Sequence, residues 1–358
     1  MPAEKHDIDT PAFLVDLDAF ERNLHKMQDF LNEHGVQLRP HFKCHRVPEI
    51  ATKQMEAGAV GITVAKLAEA ELLVKEGIRY VLIANEIRGE QKIKRLVTLA
   101  RGAEDLMVAV DDERGAVEIA HAARAFDAEV GILVDVDVGM GRCGTTPEEA
   151  AHLAKVVNGQ GGLVFRGLMG YEGHVQKPPR GEEKENACRE AMKILVDTKE
   201  AIEADGLEVG IVSAGGTRSY YITGCYPGIT EIQAGSYCLM DTASRNGGAD
   251  FELASTILTT VISRPTPDRA ITDAGMKSIH PACGMPEVKD REGIEVTGLH
   301  AEHGILKLDP EVKLEPGDQL EMFIPYLDGA ANIHEKLCCV RGDTLVGTWD
   351  VGGRYCST

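Results

Sequence analysis

The sequence predicts an α/β protein, a (β/α)8 TIM-like barrel followed by a C-terminal β-rich domain. From about residue 18 to 240, short β-rich runs alternate with longer segments whose apolar residues recur at helical spacing. About eight such units follow one another, and a closed parallel barrel is the economical way to bury them. A doubly wound open sheet is the competing arrangement, because periodicity alone does not establish closure. From about residue 251 strand-like runs separated by turns replace the alternation.

The barrel strands are expected at 36–42 (VQLRPHF), 60–65 (VGITVA), 80–85 (YVLIAN) and 106–110 (LMVAV). They continue at 130–138 (VGILVDVDV), 164–171 (VFRGLMGY), 209–215 (VGIVSAG) and 230–235 (TEIQAG). Segments such as KLAEAELLVKEG and TPEEAAHLAKVV supply the helices between them. Thr146-Pro147-Glu148 has the order of a helix start: a capping hydroxyl, then proline, then acids. The second domain is expected from FELASTILTTVISRP, AITDAGMK, EVTGLHAEHGILKL, QLEMFIPY and KLCCVRGDTLVGTWDV, with the early strand PAFLVDLD joining it. The domains are therefore placed at 18–245 for the barrel and at 1–17 plus 246–358 for the β-rich unit.

Composition narrows the function. At 358 residues the chain is long enough for more than one core. Its net charge of −19 disfavours nucleic acid, which needs a basic face, but leaves room for one phosphate held locally by backbone N–H groups and a few cations. The beginning MPAEKHDIDTP lacks the basic and apolar regions of a secretory leader, and no apolar run approaches the roughly 18 residues that span a bilayer. The nine cysteines are scattered with no Cys-x-x-Cys, the pattern of reduced thiols, so a cytoplasmic protein is expected.

In a barrel, chemistry sits at the C-terminal ends of the strands. Lys43 lies there, in RPHFKCHR after the first strand, where an amine faces the barrel mouth and can bind an aldehyde cofactor. Gly139-Met140-Gly141-Arg142-Cys143-Gly144 follows VDVDV and aims Arg142 at the same mouth. Ser213-Ala214-Gly215-Gly216-Thr217 and Gln233-Ala234-Gly235-Ser236-Tyr237 end the last two strands, where barrels often bind phosphate. Any one of these turns is ordinary loop geometry. Three of them at strand ends, together with Lys43, are much harder to explain as turns alone.

These segments, with DIDTPAFLVDLDAFERNL, TVAKLAEAE, YEGHVQ, PGITEIQAGSY, ITDAGMKS and AEHGILKL, occur in an order that resembles the fold-type III pyridoxal-phosphate enzymes, the alanine racemase-like group. Within this group the sequence is similar to the branch of D-threonine aldolase, D-serine dehydratase and the 3-hydroxyaspartate aldolases and dehydratases. The resemblance implies that Lys43 binds the cofactor aldehyde and acts as a base at Cα. It implies that Arg142 contacts the cofactor phenolate and that Gly216, Thr217, Gly235 and Ser236 hold the phosphate. Tyr171 and His174, in YEGH, would line the site. Lys43 must lose its proton to react, and nearby cations such as Arg46 are expected to lower its pKa. The resemblance also implies a homodimer in which the second domain of one subunit closes the site of the other.

In this branch a His-x-Asp or His-x-Cys pair of the second domain binds a divalent metal, Mg²⁺ or Mn²⁺ being the candidates for an oxygen-rich site. With a one-residue gap, Tyr326 stands in place of the histidine and Asp328 retains the acid. Among His280, Cys283, His303 and His334 no ligand partner is assigned. The expected reaction is retro-aldol cleavage of a small D-3-hydroxy amino acid such as D-threonine or 3-hydroxyaspartate, since Asn85-Glu86 is closer to the aldolases than to the serine dehydratases. Dehydration of such a substrate, or metal-independent racemisation or transamination, are the alternatives, and a non-catalytic carrier is disfavoured by the second domain. Weak or absent metal dependence is expected, with the β-hydroxyl handled by His174, His303 or Tyr326.

Overall fold

A computed structural model describes residues 3–358. The first strand, β1 (Ala12–Asp16), leads into a long helix, Leu17–His34, whose start is capped by the Asp16 carboxylate accepting from the Asp18 and Ala19 backbone N–H groups. Eight parallel strands then alternate with helices. They are β2 (Gln37–Leu38), β3 (Ile62–Val64), β4 (Tyr80–Glu86), β5 (Asp105–Val110), β6 (Val130–Asp135), β7 (Leu163–Met169), β8 (Ile211–Ala214) and β9 (Glu231–Ile232). Each falls within or alongside one of the expected runs. The order runs β3 to β9 in sequence with β2 beside β9. A bridge between His41 and Thr63, with Val60 N–H donating to Leu38 O and Thr63 N–H to Pro40 O at 2.9 Å each, joins the two edges. This closure selects the barrel over the open sheet. The 36–42 run is regular strand only at Gln37–Leu38, and Pro40, lacking an N–H, gives its ladder position only a carbonyl.

Barrel strands are buried on both faces, so both sets of alternating residues are apolar. Leu82, Met107, Ala109, Leu133 and Met169 form an inner cluster. Val81, Ile83, Val108, Val110, Ile132 and Val134 belong to the larger core shared with the helices. The helix Pro147–Asn158 illustrates the outer layer. The Thr146 hydroxyl accepts from Glu149 N–H, proline takes the first turn, and Ala150, Leu153, Ala154 and Val157 are its buried face. Toward the base of the barrel the buried Arg39 donates to Glu231 at 2.8 Å, and the Ser213 hydroxyl donates to the same carboxylate at 2.6 Å. A buried charge must be paired in this way.

The second sheet has nine strands. After β1 they are β10 (Ser255–Thr266), β11 (Arg269–Thr272), β12 (Glu287–Val288), β13 (Ile294–Leu299), β14 (Gly304–Leu308), β15 (Gln319–Phe323), β16 (Lys336–Arg341) and β17 (Thr344–Asp350). β1 lies inside this sheet, antiparallel to β10 and parallel to β16, so the early strand does join the later domain. The short strand β12 and the helix Leu327–Ile333 have no counterpart in the sequence reading.

Two contacts tie this domain to the barrel mouth. Thr242 N–H donates to Ile324 O, and Leu327 N–H donates to the buried Asp241 carboxylate, both at 2.9 Å. They fix the segment Tyr326–Asp328 over the strand ends. No helix is long and apolar enough to cross a membrane among the described residues. All nine cysteines are free thiols.

Candidate active site

A cavity of about 460 Å³ opens at the C-terminal ends of the barrel strands. Lys43, Arg142, Tyr171, Gly216, Thr217, Gly235, Ser236 and Asp328 all line it. His174 does not. It is exposed, and its ring lies over Gly139, where a Cβ would come within 2.9 Å of Nε2. His303 is exposed and also outside the lining.

Lys43 sits in a single 3-10 turn, Phe42–Cys44, directly after the barrel-closing bridge. Phe42 is fully buried in the core and Cys44 is buried at the cavity wall, while Lys43 between them faces the cavity. Its Nζ is 3.7 Å from Asp328 Oδ2. Burial is the largest single influence on the Lys43 pKa and works to lower it, but Asp328, together with Cys44, Tyr171 and Tyr326, outweighs it and the net movement is upward. The expectation that Arg46 depresses this pKa is therefore corrected. The Arg46 guanidinium is turned elsewhere, donating to Asn332 at 2.6 Å and lying 3.4 Å from Glu69. His41, beside Lys43, is kept neutral by desolvation, with the charges of Lys43, His45 and Arg142 acting in the same sense.

Arg142 is aimed by its turn. Asp137 Oδ1 accepts from the N–H groups of Gly139 and Gly141 at 2.9 and 3.0 Å, and both glycines hold positive φ. The guanidinium then lies 5.7 Å from the centre of the Tyr171 ring. Burial pushes the Tyr171 phenol up, partly countered by Lys43. Below Arg142, Asp135 is raised to about 8, first by burial and then by the neighbouring Glu86. Glu86 and Asp135, both on the cavity wall, are not among the site residues expected from the sequence, where Glu86 serves only in the Asn85-Glu86 pair that favours the aldolases. Strand periodicity could have found Asp135, which continues the inward-facing row Leu133-Asp135, but not Glu86, which follows a bulge in β4 between Ile83 and Glu86.

At the other end of the cavity, the turn after β8 is built around Glu172. This fully buried carboxylate accepts from Gly215 N–H at 3.1 Å, Ser219 Oγ at 2.6 Å and Thr223 Oγ1 at 2.7 Å. A side chain at Gly216 would meet Gln176 at 3.0 Å, and one at Gly235 would meet His41 O at 2.5 Å. Thr217 is buried, and its hydroxyl has no partner in the protein. Arg218, which follows it, also lines the cavity. The sequence reading took neither Glu172 nor Arg218 as a site residue. Glu172 lies between Tyr171 and His174, the two residues of YEGH expected to line the site, and Arg218 lies one position past the turn Ser213–Thr217.

The second domain contributes Tyr326 and Asp328 from the same chain. The Tyr326 phenol is pushed up to about 12, by burial first and then by Asp328, and so holds its proton. Its ring packs edge-on against His280, with centroids 5.6 Å apart. His334 Nε2 is hydrogen-bonded to Ser278 O at 2.8 Å. Among the described residues no three His, Cys, Asp or Glu side chains gather as a metal set.

Comparison with known proteins fits this architecture. The family model described as "Alanine racemase, N-terminal domain" matches residues 15–243, and a serine dehydratase domain model matches residues 254–340. The chain is 35% identical to the D-threonine aldolase of Arthrobacter sp over 363 residues, covering 99% of this chain and 96% of the relative. It is 33% identical to the 3-hydroxy-D-aspartate aldolase of Paracoccus denitrificans over 362 residues, covering 98% and 93%. The crystal structure of D-threonine aldolase from Filomicrobium marinum superposes with a TM-score of 0.97 at 35% identity, covering 100% of this chain and 99% of that one. The chain thus belongs to the fold-type III pyridoxal-phosphate enzymes, in the branch that joins an alanine racemase-type barrel to a serine dehydratase-type domain.

Proposed function

We propose that this protein is a pyridoxal-phosphate-dependent lyase that cleaves a small D-3-hydroxy amino acid into an amino acid and an aldehyde. The residues present fit the cofactor. Thr217 offers an orphaned buried hydroxyl beside the two glycine turns, and the one lysine on the wall near that cradle with a carboxylate partner is Lys43. In this reading Lys43 takes the aldehyde, Arg142 faces the phenolate oxygen, Tyr171 packs along the ring, and Gly216, Thr217, Gly235 and Ser236 receive the phosphate. When bound, the cofactor supplies an electron sink for the pair released at Cα.

The residues do not fit the divalent metal of the branch. Asp328 brings one carboxylate already facing an ammonium, and Tyr326 brings a protonated phenol in place of a neutral nitrogen. No step here therefore runs through a metal. Aldol cleavage needs a base at the β-hydroxyl, and the Asp328 carboxylate can accept that proton while the Tyr326 O–H orients the oxygen. The Lys43 ammonium, 3.7 Å from Asp328, can return a proton to Cα after the bond breaks. The observation that carries this reading is that Lys43, Asp328 and Tyr326 meet on one wall, whereas His174 and His303 stand away from it.

Product analysis on a panel of D-amino acids, with and without chelator, tests it. Glycine plus an aldehyde, unaffected by chelator, is the expected outcome. A keto acid with ammonia, or inversion alone, would move the assignment to a dehydratase or a racemase. Loss of activity on chelation with return on adding Mn²⁺ would overturn the metal-free account. Borohydride trapping should label Lys43, and a label on Lys66 would contradict the cofactor assignment. We place the domain division at 18–245 against 1–17 plus 246–358, and propose a cytoplasmic homodimer with no nucleic-acid or membrane partner. The acidic surface supports the absence of a nucleic-acid partner.

A further inference from the structure

We propose that Arg218 is a phosphate-binding residue of this site, donating to the cofactor phosphate together with the hydroxyls of Thr217 and Ser236. The inference rests on the cofactor reading above. Arg218 follows the turn Ser213–Thr217 and is half-buried on the cavity wall. Its only hydrogen bond among the described residues is from Nε to Ser244 Oγ, at 3.5 Å. Ser244 Oγ in turn is 3.4 Å from Ser236 Oγ. The guanidinium is thus linked through Ser244 to the Ser236 hydroxyl and follows Thr217 directly in the chain, with most of its N–H groups unspent.

Its place is built. A Cβ on Gly247 would fall 2.6 Å from Arg218 Cδ, so the absence of a side chain there makes the passage for the arginine stem. The Gly247 carbonyl is pinned by the buried Lys184, whose Nζ donates to it at 2.5 Å. Asp241, a carboxylate on the same cavity wall, is spent on other partners. It accepts from Ser244 N–H at 2.6 Å and from Leu327 N–H at 2.9 Å. A guanidinium on the cavity wall with no ion-pair partner among the described residues, one position after the unpartnered Thr217 hydroxyl, presents donors with no acceptor. A dianion with three terminal oxygens supplies the acceptors. Backbone donors and two hydroxyls bring no charge of their own, and in a chain of net charge −19 a local cation is what offsets the phosphate.

The test compares pyridoxal phosphate with pyridoxal, which lacks the phosphate. Enzyme resolved of its cofactor is reloaded with either compound, and binding is followed by the absorbance of the bound ring. Arg218→Ala should weaken pyridoxal phosphate about tenfold to a hundredfold, the worth of one charge-assisted hydrogen bond, and leave pyridoxal unchanged. Arg218→Lys, keeping the charge and losing the fork, should fall between. Equal weakening of both compounds would mean a general disturbance of the pocket and would overturn the assignment. So would unchanged affinity for both with a raised KM for substrate, which would give Arg218 to the substrate carboxylate. Wild-type enzyme that takes up neither compound would show that the cofactor reading itself has failed, and with it this one.

Discussion

Replacing Asp328 with asparagine isolates the electrostatic control of Lys43. The carboxylate lies 3.7 Å from Nζ, and it is the leading influence raising the lysine pKa against a larger desolvation that lowers it. At that distance an ion pair is worth about 1 kcal/mol in water and about 4 kcal/mol at an effective dielectric of 20. Lys43 is 38% exposed, so the lower part of that range applies, on the order of 1–2 kcal/mol or about one pKa unit. The sign follows directly. A raised pKa keeps Lys43 protonated through neutral pH, and attachment of an aldehyde needs the free amine. Cofactor uptake by the wild-type apoenzyme should therefore quicken about tenfold per pH unit between roughly pH 7 and 9. Asp328→Asn should shift this profile down by about one unit, making uptake at pH 7.5 roughly tenfold faster, while aldol cleavage falls because the β-hydroxyl loses its acceptor. Stopped-flow absorbance measures the first and steady-state product formation the second. Uptake that is equal to or slower than wild type at every pH would refute the argument.

Glu172→Ala removes the acceptor of three hydrogen bonds under the phosphate turn, leaving Gly215, Ser219 and Thr223 donors unpaired. Cofactor affinity should drop at least about tenfold and amide exchange at 213–219 should rise; affinity within twofold of wild type would discount this role. Asp135, held near a pKa of about 8 against an ordinary 3.8, is protonated in the fold where the unfolded chain is charged. Its contribution is present below pH 4 and lost as pH rises through 8, so the apoenzyme's Tm should decline across that window and Asp135→Asn should flatten the decline; parallel curves would count against it. Gly61→Ala would place a Cβ 2.0 Å from Arg39 Nη1 and 2.7 Å from Tyr80 O. Displacing Arg39 strands the buried Glu231, and denaturant titration should register a loss of about 3–5 kcal/mol, with a change below 1 kcal/mol the contrary result.

The frame was legible because it is written in local patterns. Each of the eight barrel strands carries its own β-rich run, and Thr146-Pro147 marks a helix start by chemistry confined to four residues. Even the placement of β1 could be read, since PAFLVDLD precedes the first barrel helix. What could not be read is whatever depends on two distant segments meeting. Asp328 reaches Lys43 only because Asp241 and Thr242, at the end of the barrel, hold the segment Ile324–Leu327 by two hydrogen bonds. Arg46 lies three residues from Lys43 in sequence, yet it serves Glu69, Asn332 and Gly353, so a neighbour in sequence was mistaken for a neighbour in charge. Lys43 follows the opposite rule, because its pKa is set by a carboxylate 285 positions away in the chain. His174 failed for a related reason. It lies in a 3-10 turn just past the strand end, where the two-residue alternation that turns Tyr171 inward no longer applies. The alternation that does persist through β6 delivers Asp135 to the cavity wall, whereas Glu86 reaches it past a bulge in β4. Extending the inward row of β6 one step past Leu133 would have recovered Asp135 from sequence alone, while the β4 bulge that carries Glu86 has no such signal.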